Sequence, residues 1–294
     1  MKAEYTDTPD PVPQRLRALR KDYPELCKAA LLYESLLPLL RDADLPVTPV
    51  LPTRDQAMRK LQSGLPLLYD VQLGVDLMAA SGLMIRLARV FEEAGVGEGS
   101  SFSARSIRLS VEKERLDVGA LLAQAVSEKR GAITSTALHL NLDSGLLWAL
   151  TEYVLRPAFR EWRRQLTPLA EDILWNRGEC FVCGASAILA ELRDNNLVRF
   201  LRCGRCGADW QFSRLQCPYC GNEDHRTLAY LYAEGECEKY RVEVCEKCKG
   251  YIKVITTFSP TPPELLPVED LATLRFDFIA QGRGYSRKTV IPVG

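Results

Sequence analysis

The sequence predicts an α+β multidomain chain. An N-terminal all-α helical domain is expected over residues 1–176, followed by two small β modules over 177–214 and 215–294, the second ending in a short C-terminal helix and tail. Three observations predict this. Apolar residues recur at three- and four-residue spacing through the first 175 positions. Nine of the ten cysteines fall between Cys180 and Cys248, eight of them in Cys-x-x-Cys pairs. The segment that holds them repeats one plan twice: a knuckle, a hairpin and a second knuckle.

The helical elements follow in order. Residues 1–13 form a polar, proline-rich lead. A short basic helix is expected over 14–21, then a helix opened by Pro24, whose missing amide proton costs nothing in a first turn. Its apolar face carries Leu26, Ala29, Ala30, Leu32, Tyr33, Leu36 and Leu37; Cys27 reads as a core or partly exposed thiol rather than a ligand. Pro46, Pro49 and Pro52 break the chain. Thr53 is placed to cap a helix over 54–63, which Gly64 ends. Residues 70–94 predict one long central helix with Leu73, Leu77, Met78 and Leu87 among its apolar positions, and both Met78 and Met84 are assigned to core packing. Residues 95–106, opening with G95-V-G-E-G-S, predict a flexible loop, because the glycines follow a helix rather than a strand and lack the lysine of a phosphate-binding loop. Helices resume over 117–127 and 144–175. In the latter, Leu147, Leu150, Val154, Phe159, Trp162 and Leu166 are core candidates, with a kink or break at Pro157.

At Arg177 the texture changes. Cys180/Cys183, Cys203/Cys206, Cys217/Cys220 and Cys245/Cys248 are four Cys-x-x-Cys pairs. Two intervening residues let a tight turn set both sulfurs on one edge of a tetrahedron, and a second such turn supplies the opposite edge. Gly184, Gly207 and Gly221, directly after three of the pairs, suit the positive φ of a backbone turning round a metal. Loops of 19, 10 and 24 residues separate successive pairs. Neighbour pairing then gives two closed tetrathiolate sites in modules of rubredoxin or zinc-ribbon type, with interleaved pairing as the alternative. Strands over 187–193 and 197–202 turn at Asp194-Asn195-Asn196 and return Cys203 to Cys183. Strands over 227–233 and 239–244 turn at Glu234-Gly235-Glu236 and deliver Cys245. A further strand over 251–258, a proline-rich crossing and a helix over 268–280 complete the chain.

Composition narrows the function. Lysine plus arginine and aspartate plus glutamate both number 38, and the two signs nearly balance from Arg177 onward, so no basic face points to nucleic acid. The amino terminus has no apolar core of a signal peptide, and the most hydrophobic region, 65–90, is interrupted by Asp70, Asp76 and Arg86, which argues against a membrane span. A cytoplasmic protein is expected; there disulfides are disfavoured and paired cysteines read as metal ligands. No catalytic constellation assembles. His139, among apolar neighbours, reads as a satisfied core group and His225 as an exposed polar residue, and no nucleophile motif is present. The chain is therefore not read as an enzyme. Zinc would leave the thiolates inert, whereas iron in the same geometry can cycle between oxidation states. Cys237, in the second hairpin turn, reads as a free thiol.

These residues resemble a known family, the bacterial formate dehydrogenase accessory protein FdhE. The likeness rests on C180-F-V-C-G, on C203-G-R-C followed by Asp209-Trp210, on Arg214 before C217-P-Y-C-G, and on C245-E-K-C-K-G-Y-I-K. E269-D-L-A-T-L with Asp277, and G284-Y-S-R, look like the same family's closing signature. Cys27 and Cys237 have no counterpart in those motifs. The resemblance implies a cytoplasmic protein required for the activity of molybdenum- and selenium-dependent respiratory formate dehydrogenases. Such a protein would act on the catalytic subunit before its export by the twin-arginine route. It further implies rubredoxin-type iron, two ions per chain, held by Cys180, Cys183, Cys203, Cys206, Cys217, Cys220, Cys245 and Cys248, with zinc as the alternative. The expected partner is the formate dehydrogenase catalytic subunit, with no nucleic acid, no membrane and a possible homo-oligomer. An iron-dependent redox protein acting on a cofactor or thiol of the dehydrogenase is the other reading.

Overall fold

The computed structural model describes residues 11–48, 51–71, 74–95, 97, 99–170, 173–233 and 239–288. Among the described residues eight α-helices precede the sheet: α1 (Pro11–Asp22), α2 (Cys27–Arg41), α3 (Arg54–Gln62), α4 (Leu77–Ala94), α5 (Ser100–Glu112), α6 (Val118–Val126), α7 (Arg130–His139) and α8 (Ser144–Leu166). Their starts are fixed by side chains that satisfy otherwise orphaned amides. Thr53 and Gln56 form a reciprocal capping box. Asp76, Asp117 and Asp143 accept first-turn amides of α4, α6 and α8. Removing the cap of the longest helix by Asp143→Ala should cost about 1 kcal/mol. A calorimetric scan should then show Tm lower by about 2–4 °C.

Several elements differ from expectation, each for a local reason. α4 begins at Leu77 rather than at 70. Asp70 and Gly74 take positive φ, and the Thr48 amide donates to the Gly74 carbonyl at 2.9 Å, so this stretch pairs across to residues 46–48 instead of coiling. Met78 then falls on the outer side of the first turn and is 84% exposed, while Met84 and Leu87 are fully buried; core packing holds for Met84 and fails for Met78. Leu73 lies outside the described residues, as do positions 96 and 98 of the glycine-rich stretch. From Ser100 the expected loop is helix α5. Its inner face is only Ala104, Ile107 and Val111, too sparse among serines and arginines to announce itself. α7 is hidden the same way, with Ile133 and Ala137 its buried residues. His139 ends α7 exposed and is not a core group. α8 runs unbroken through buried Pro157, since one lost backbone bond is tolerated where the flanking turns are packed. All six predicted core positions of α8 are buried.

Beyond a 3₁₀ turn at Thr167–Ala170 come β1 (Ala187–Arg193), β2 (Val198–Cys203), β3 (Asp209–Gln211), β4 (Leu228–Leu231), β5 (Tyr240–Cys245) and β6 (Gly250–Thr257). Two three-stranded antiparallel units are present, and they share one sheet of order β3-β2-β1-β6-β5-β4. The seam is the parallel pairing of β1 with β6, Leu189 opposite Lys253 through Arg193 opposite Thr257. The first hairpin turns at Asp194 and Leu197, both at positive φ; the second turn lies outside the described residues, and Cys237 with it. One face of the sheet carries α9 (Leu266–Ala272) and α10 (Leu274–Gly282), and the other packs Ala190, Leu192, Leu201 and Val254 into the helical core. The single helix expected over 268–280 is broken at Thr273, whose hydroxyl donates to the Glu269 carbonyl at 2.7 Å. α1 and α2 close a third small core with α9, clamped by Arg15 on Glu269 at 2.6 Å. Among the described residues no helix is long and apolar enough to cross a membrane.

Candidate metal centres

Three of the four cysteine knuckles are built by the same backbone bonds. The Cys180 amide donates to the Ala185 carbonyl (2.9 Å) and the Gly184 amide returns to the Cys180 carbonyl (2.8 Å). Cys203 with Ala208 and Gly207, and Cys217 with Asn222 and Gly221, repeat this at 2.8–3.1 Å. The three glycines sit at φ of 77°, 77° and 68°, a region in which a side chain costs about 1–2 kcal/mol. The fourth knuckle puts Lys249 in the equivalent place, at φ 55°, so the lysine masked a repeat that glycine advertised elsewhere.

The hairpins then set the knuckles face to face. Cys203 is the last residue of β2 and Cys245 the last of β5, so each strand carries one knuckle back to its partner. In the first set Cys180 Sγ lies 3.5 Å from Cys206 Sγ and Cys183 Sγ 3.5 Å from Cys203 Sγ. In the second, Cys217 and Cys248 are 3.7 Å apart and Cys220 and Cys245 3.8 Å. Within each set all four sulfurs lie within 4.8 Å of one another. A tetrahedron with metal–sulfur bonds of about 2.3 Å has edges of about 3.8 Å, whereas a disulfide needs about 2.05 Å. The donor sets therefore fit a tetrahedral thiophilic ion, with the neighbour pairing and not the interleaved one.

The two sets differ in surroundings. Cys180, Cys203 and Cys206 are buried and Cys183 half-buried; in the second set Cys217 and Cys245 are buried, Cys248 is half-buried and Cys220 exposed. The first set is moored to the helical domain. Leu67 and Leu68 amides donate to the Phe181 and Val182 carbonyls at 2.8 and 2.9 Å. Arg205 bonds Glu152 of α8 at 2.8 Å and the Ala125 carbonyl of α6 at 3.3 Å. The second set has Asn222, which the sequence reading missed, with its amide donating to Thr227 at 2.7 Å and lying 3.6 Å from Cys245 Sγ. Burial pushes the Cys180 and Cys206 thiols up. It pushes Cys203 the same way, but hydrogen bonds from its three neighbours outweigh it and hold that thiol well below the usual range. In the second set burial lifts Cys217 and carries Cys248 to about 11. Cys245 ends below its ordinary value because backbone amides of Cys248 and Lys247 overcome the effect of burial.

The two sets meet at Gly178, which is buried; a Cβ there would overlap the Pro218 carbonyl oxygen. Gly178→Ala should separate the chain entering the first knuckle from the third, costing about 1–3 kcal/mol. Chelator competition should show the second set losing its ion more readily; unchanged competition would mean the crossing does not couple them. His225 is exposed, and Cys27 is half-buried in α2 and belongs to neither set.

A family model described as FdhE, C-terminal domain, matches residues 215–293. Similar curated proteins include a "Protein FdhE homolog" of Aquifex aeolicus, 33% identical over 116 residues, covering 38% of this chain and 40% of that protein. Another, of Stutzerimonas stutzeri, is 31% identical over 179 residues, covering 59% of this chain and 55% of that protein. The matched regions thus span about half or less of those relatives' lengths. The crystal structure of the FdhE protein from Pseudomonas aeruginosa superposes with a TM-score of 0.63 at 22% identity, covering 96% of this chain and 95% of that one. The fold is shared throughout.

Proposed function

We propose, from the match of residues 215–293 to the FdhE C-terminal domain model and the likeness to curated FdhE homologs, that this chain belongs to the FdhE family, with a role related to formate dehydrogenase, and is an accessory protein that binds the dehydrogenase catalytic subunit in the cytoplasm before export and supports its maturation or quality control. The observation that carries the metal side of this reading is the pair of tetrahedral sulfur cages. Cys180, Cys183, Cys203 and Cys206 would hold one ion; Cys217, Cys220, Cys245 and Cys248 would hold the other. Iron is the proposed ion, with zinc as the alternative; bound iron would supply a one-electron couple and zinc none. The chain's own residues then do two things. The knuckle amides fix the sulfurs, and the ordered sheet holds the helical body and the C-terminal helices as one surface for a partner. No catalytic step is assigned to it.

Anaerobic co-purification with the catalytic subunit tests the binding, and a clean failure in that pulldown would count heavily against it. Metal analysis with an absorption spectrum tests the ion: two ferric tetrathiolates per chain would colour the protein red, two zinc ions would leave it colourless. The exposure of Cys220 favours a second reading, a redox protein acting on a cofactor or thiol of the dehydrogenase through the second cage. Full activity of an all-zinc preparation would eliminate that reading while leaving the first intact.

A further inference from the structure

The sheet has two edges, finished differently. At one, β3 is three residues long, its Trp210 is buried and its Asp209 is tied to Arg193 at 2.6 Å. The other edge is β4, Leu228-Ala229-Tyr230-Leu231. It carries no lysine, proline or bulge of the kind that guards an edge against pairing. Tyr230 and the following Tyr232 are 41% and 46% exposed, and among the described residues no strand or bridge pairs with the outer side of β4.

The register shows which backbone groups are free. The Glu246 amide donates to the Thr227 carbonyl at 2.9 Å, and Leu228 stands opposite Cys245 and Tyr230 opposite Glu243. In an antiparallel ladder hydrogen-bonded pairs alternate, so Ala229 and Leu231 follow Thr227 in bonding to β5. The N–H and C=O of Leu228 and Tyr230 point outward. Their side chains border a cleft of about 200 Å³, walled also by Leu215, Tyr219 and Ile252, next to Cys217 and Cys245 of the second cage.

The charge of this cleft is unbalanced. Glu243 on its floor is neutralised twice, by Arg199 and Arg241 at 2.9 Å each. Nearby, Glu223 accepts from Gln216 at 3.1 Å and Asp224 is held by Arg226 at 3.1 Å. Arg214 lines the cleft, is exposed and pairs with no carboxylate among the described residues. We propose that β4 takes an extended acidic segment of a partner protein as a seventh strand. The segment's backbone pairs with Leu228 and Tyr230. Alternate side chains enter the cleft, apolar against Leu215 and Tyr230 and acidic toward Arg214. This rests on the reading of the chain as a protein-binding accessory and names the surface that does the binding.

The test uses the full metal-loaded chain with an acetylated Val-Ser-Glu-Ser-Val-Ser-Glu-Ser octapeptide (Val-Glu), whose Val and Glu share one face of the strand, as probe and its counterpart with Lys for Glu (Val-Lys) as control. Val-Glu should slow amide exchange at Leu228 and Tyr230 and bind at least tenfold tighter than Val-Lys. Tyr230→Pro removes an outward amide that β5 does not use, and Tyr230→Lys guards the edge should the proline variant fold poorly. Both should weaken Val-Glu at least tenfold with metal content unchanged, and Arg214→Glu should shift preference toward Val-Lys. Equal binding of the two peptides, protection at another strand, or full binding by both Tyr230 variants would overturn the proposal. So would a concentration-dependent doubling of mass that these variants abolish, because a second copy would then occupy the edge. Pulldowns of the catalytic subunit separate the two readings. Capture by wild type and Tyr230→Lys alike removes the edge but keeps the partner; capture by neither, with the peptide still bound, removes that partner but keeps the edge.

Discussion

The Cys180→Ala/Cys183→Ala chain should lose both metal ions and unfold without a cooperative transition, whereas Cys217→Ala/Cys220→Ala should lose one ion and keep a folded helical domain. The asymmetry follows from where each cage sits. The first is built into the main core: three of its cysteines are buried, the first knuckle is hydrogen-bonded to Leu67 and Leu68, and the second is anchored by Arg205 to α6 and α8. Structural tetrathiolate sites contribute about 10–16 kcal/mol to folding, against a typical net stability of about 5–15 kcal/mol, so losing this one exceeds what the rest of the chain supplies. The second cage lies under β4 and β5 at the far side of the sheet, with Cys220 exposed. Metal per chain and far-UV circular dichroism on heating give the answer together. A first-cage variant that keeps one ion and a sharp transition would show that the two cages fold independently despite the shared sheet.

Glu191→Ala should be the most damaging single substitution outside the cages, costing about 3–5 kcal/mol. Glu191 is fully buried in β1 and among the described residues is the only carboxylate that answers Arg202, which bonds it at 2.6 Å; it also bonds Arg193 at 2.6 Å and accepts the Thr261 amide at 3.1 Å. Alanine would leave the Arg202 guanidinium, 2% exposed, with only the Thr261 carbonyl at 2.7 Å among the described residues. An uncompensated buried charge costs far more than the pair contributes when whole. Urea unfolding should show a lower midpoint at unchanged slope. A loss below about 1 kcal/mol would place Arg202 in contact with water that the fold excludes.

A second ionic set explains residues that the sequence marked without a role. Asp277 of the E269-D-L-A-T-L region and Arg287 of G284-Y-S-R meet buried Lys253 of β6. Lys253 bonds Asp277 at 2.7 Å and Asp270 at 2.8 Å, and Arg287 bonds Asp277 at 2.9 Å. Burial lowers the affinity of Arg287 for its proton, but the charges and hydrogen bonds of Asp270 and Asp277 overcome it and raise that affinity far above the ordinary range. These positions seal α10 and the tail onto the sheet. Spacing in the chain cannot reveal such a role, because its members come from strand, helix and tail.

The cysteine spacing was enough to name eight thiols and to favour neighbour pairing over the interleaved one, which the sulfur distances then excluded, and the alternation around them placed β1 to the residue. Both rest on short-range geometry, a two-residue turn and a pleat of period two, that holds wherever the segment is put. Thr53 and the apolar stripe of α8 were legible for the same reason. What the chain could not reveal depends on distant neighbours: whether 70–76 coils or pairs with 46–48, which way Met78 and His139 face, and how sparse helices such as α5 and α7 find enough partners to persist. The same holds for the paired cysteines. Spacing made two modules, but the parallel seam of β1 and β6 made them one sheet. That seam sank the first cage into the helical core and left the second beside the edge strand β4, since burial is decided by what packs from far along the chain.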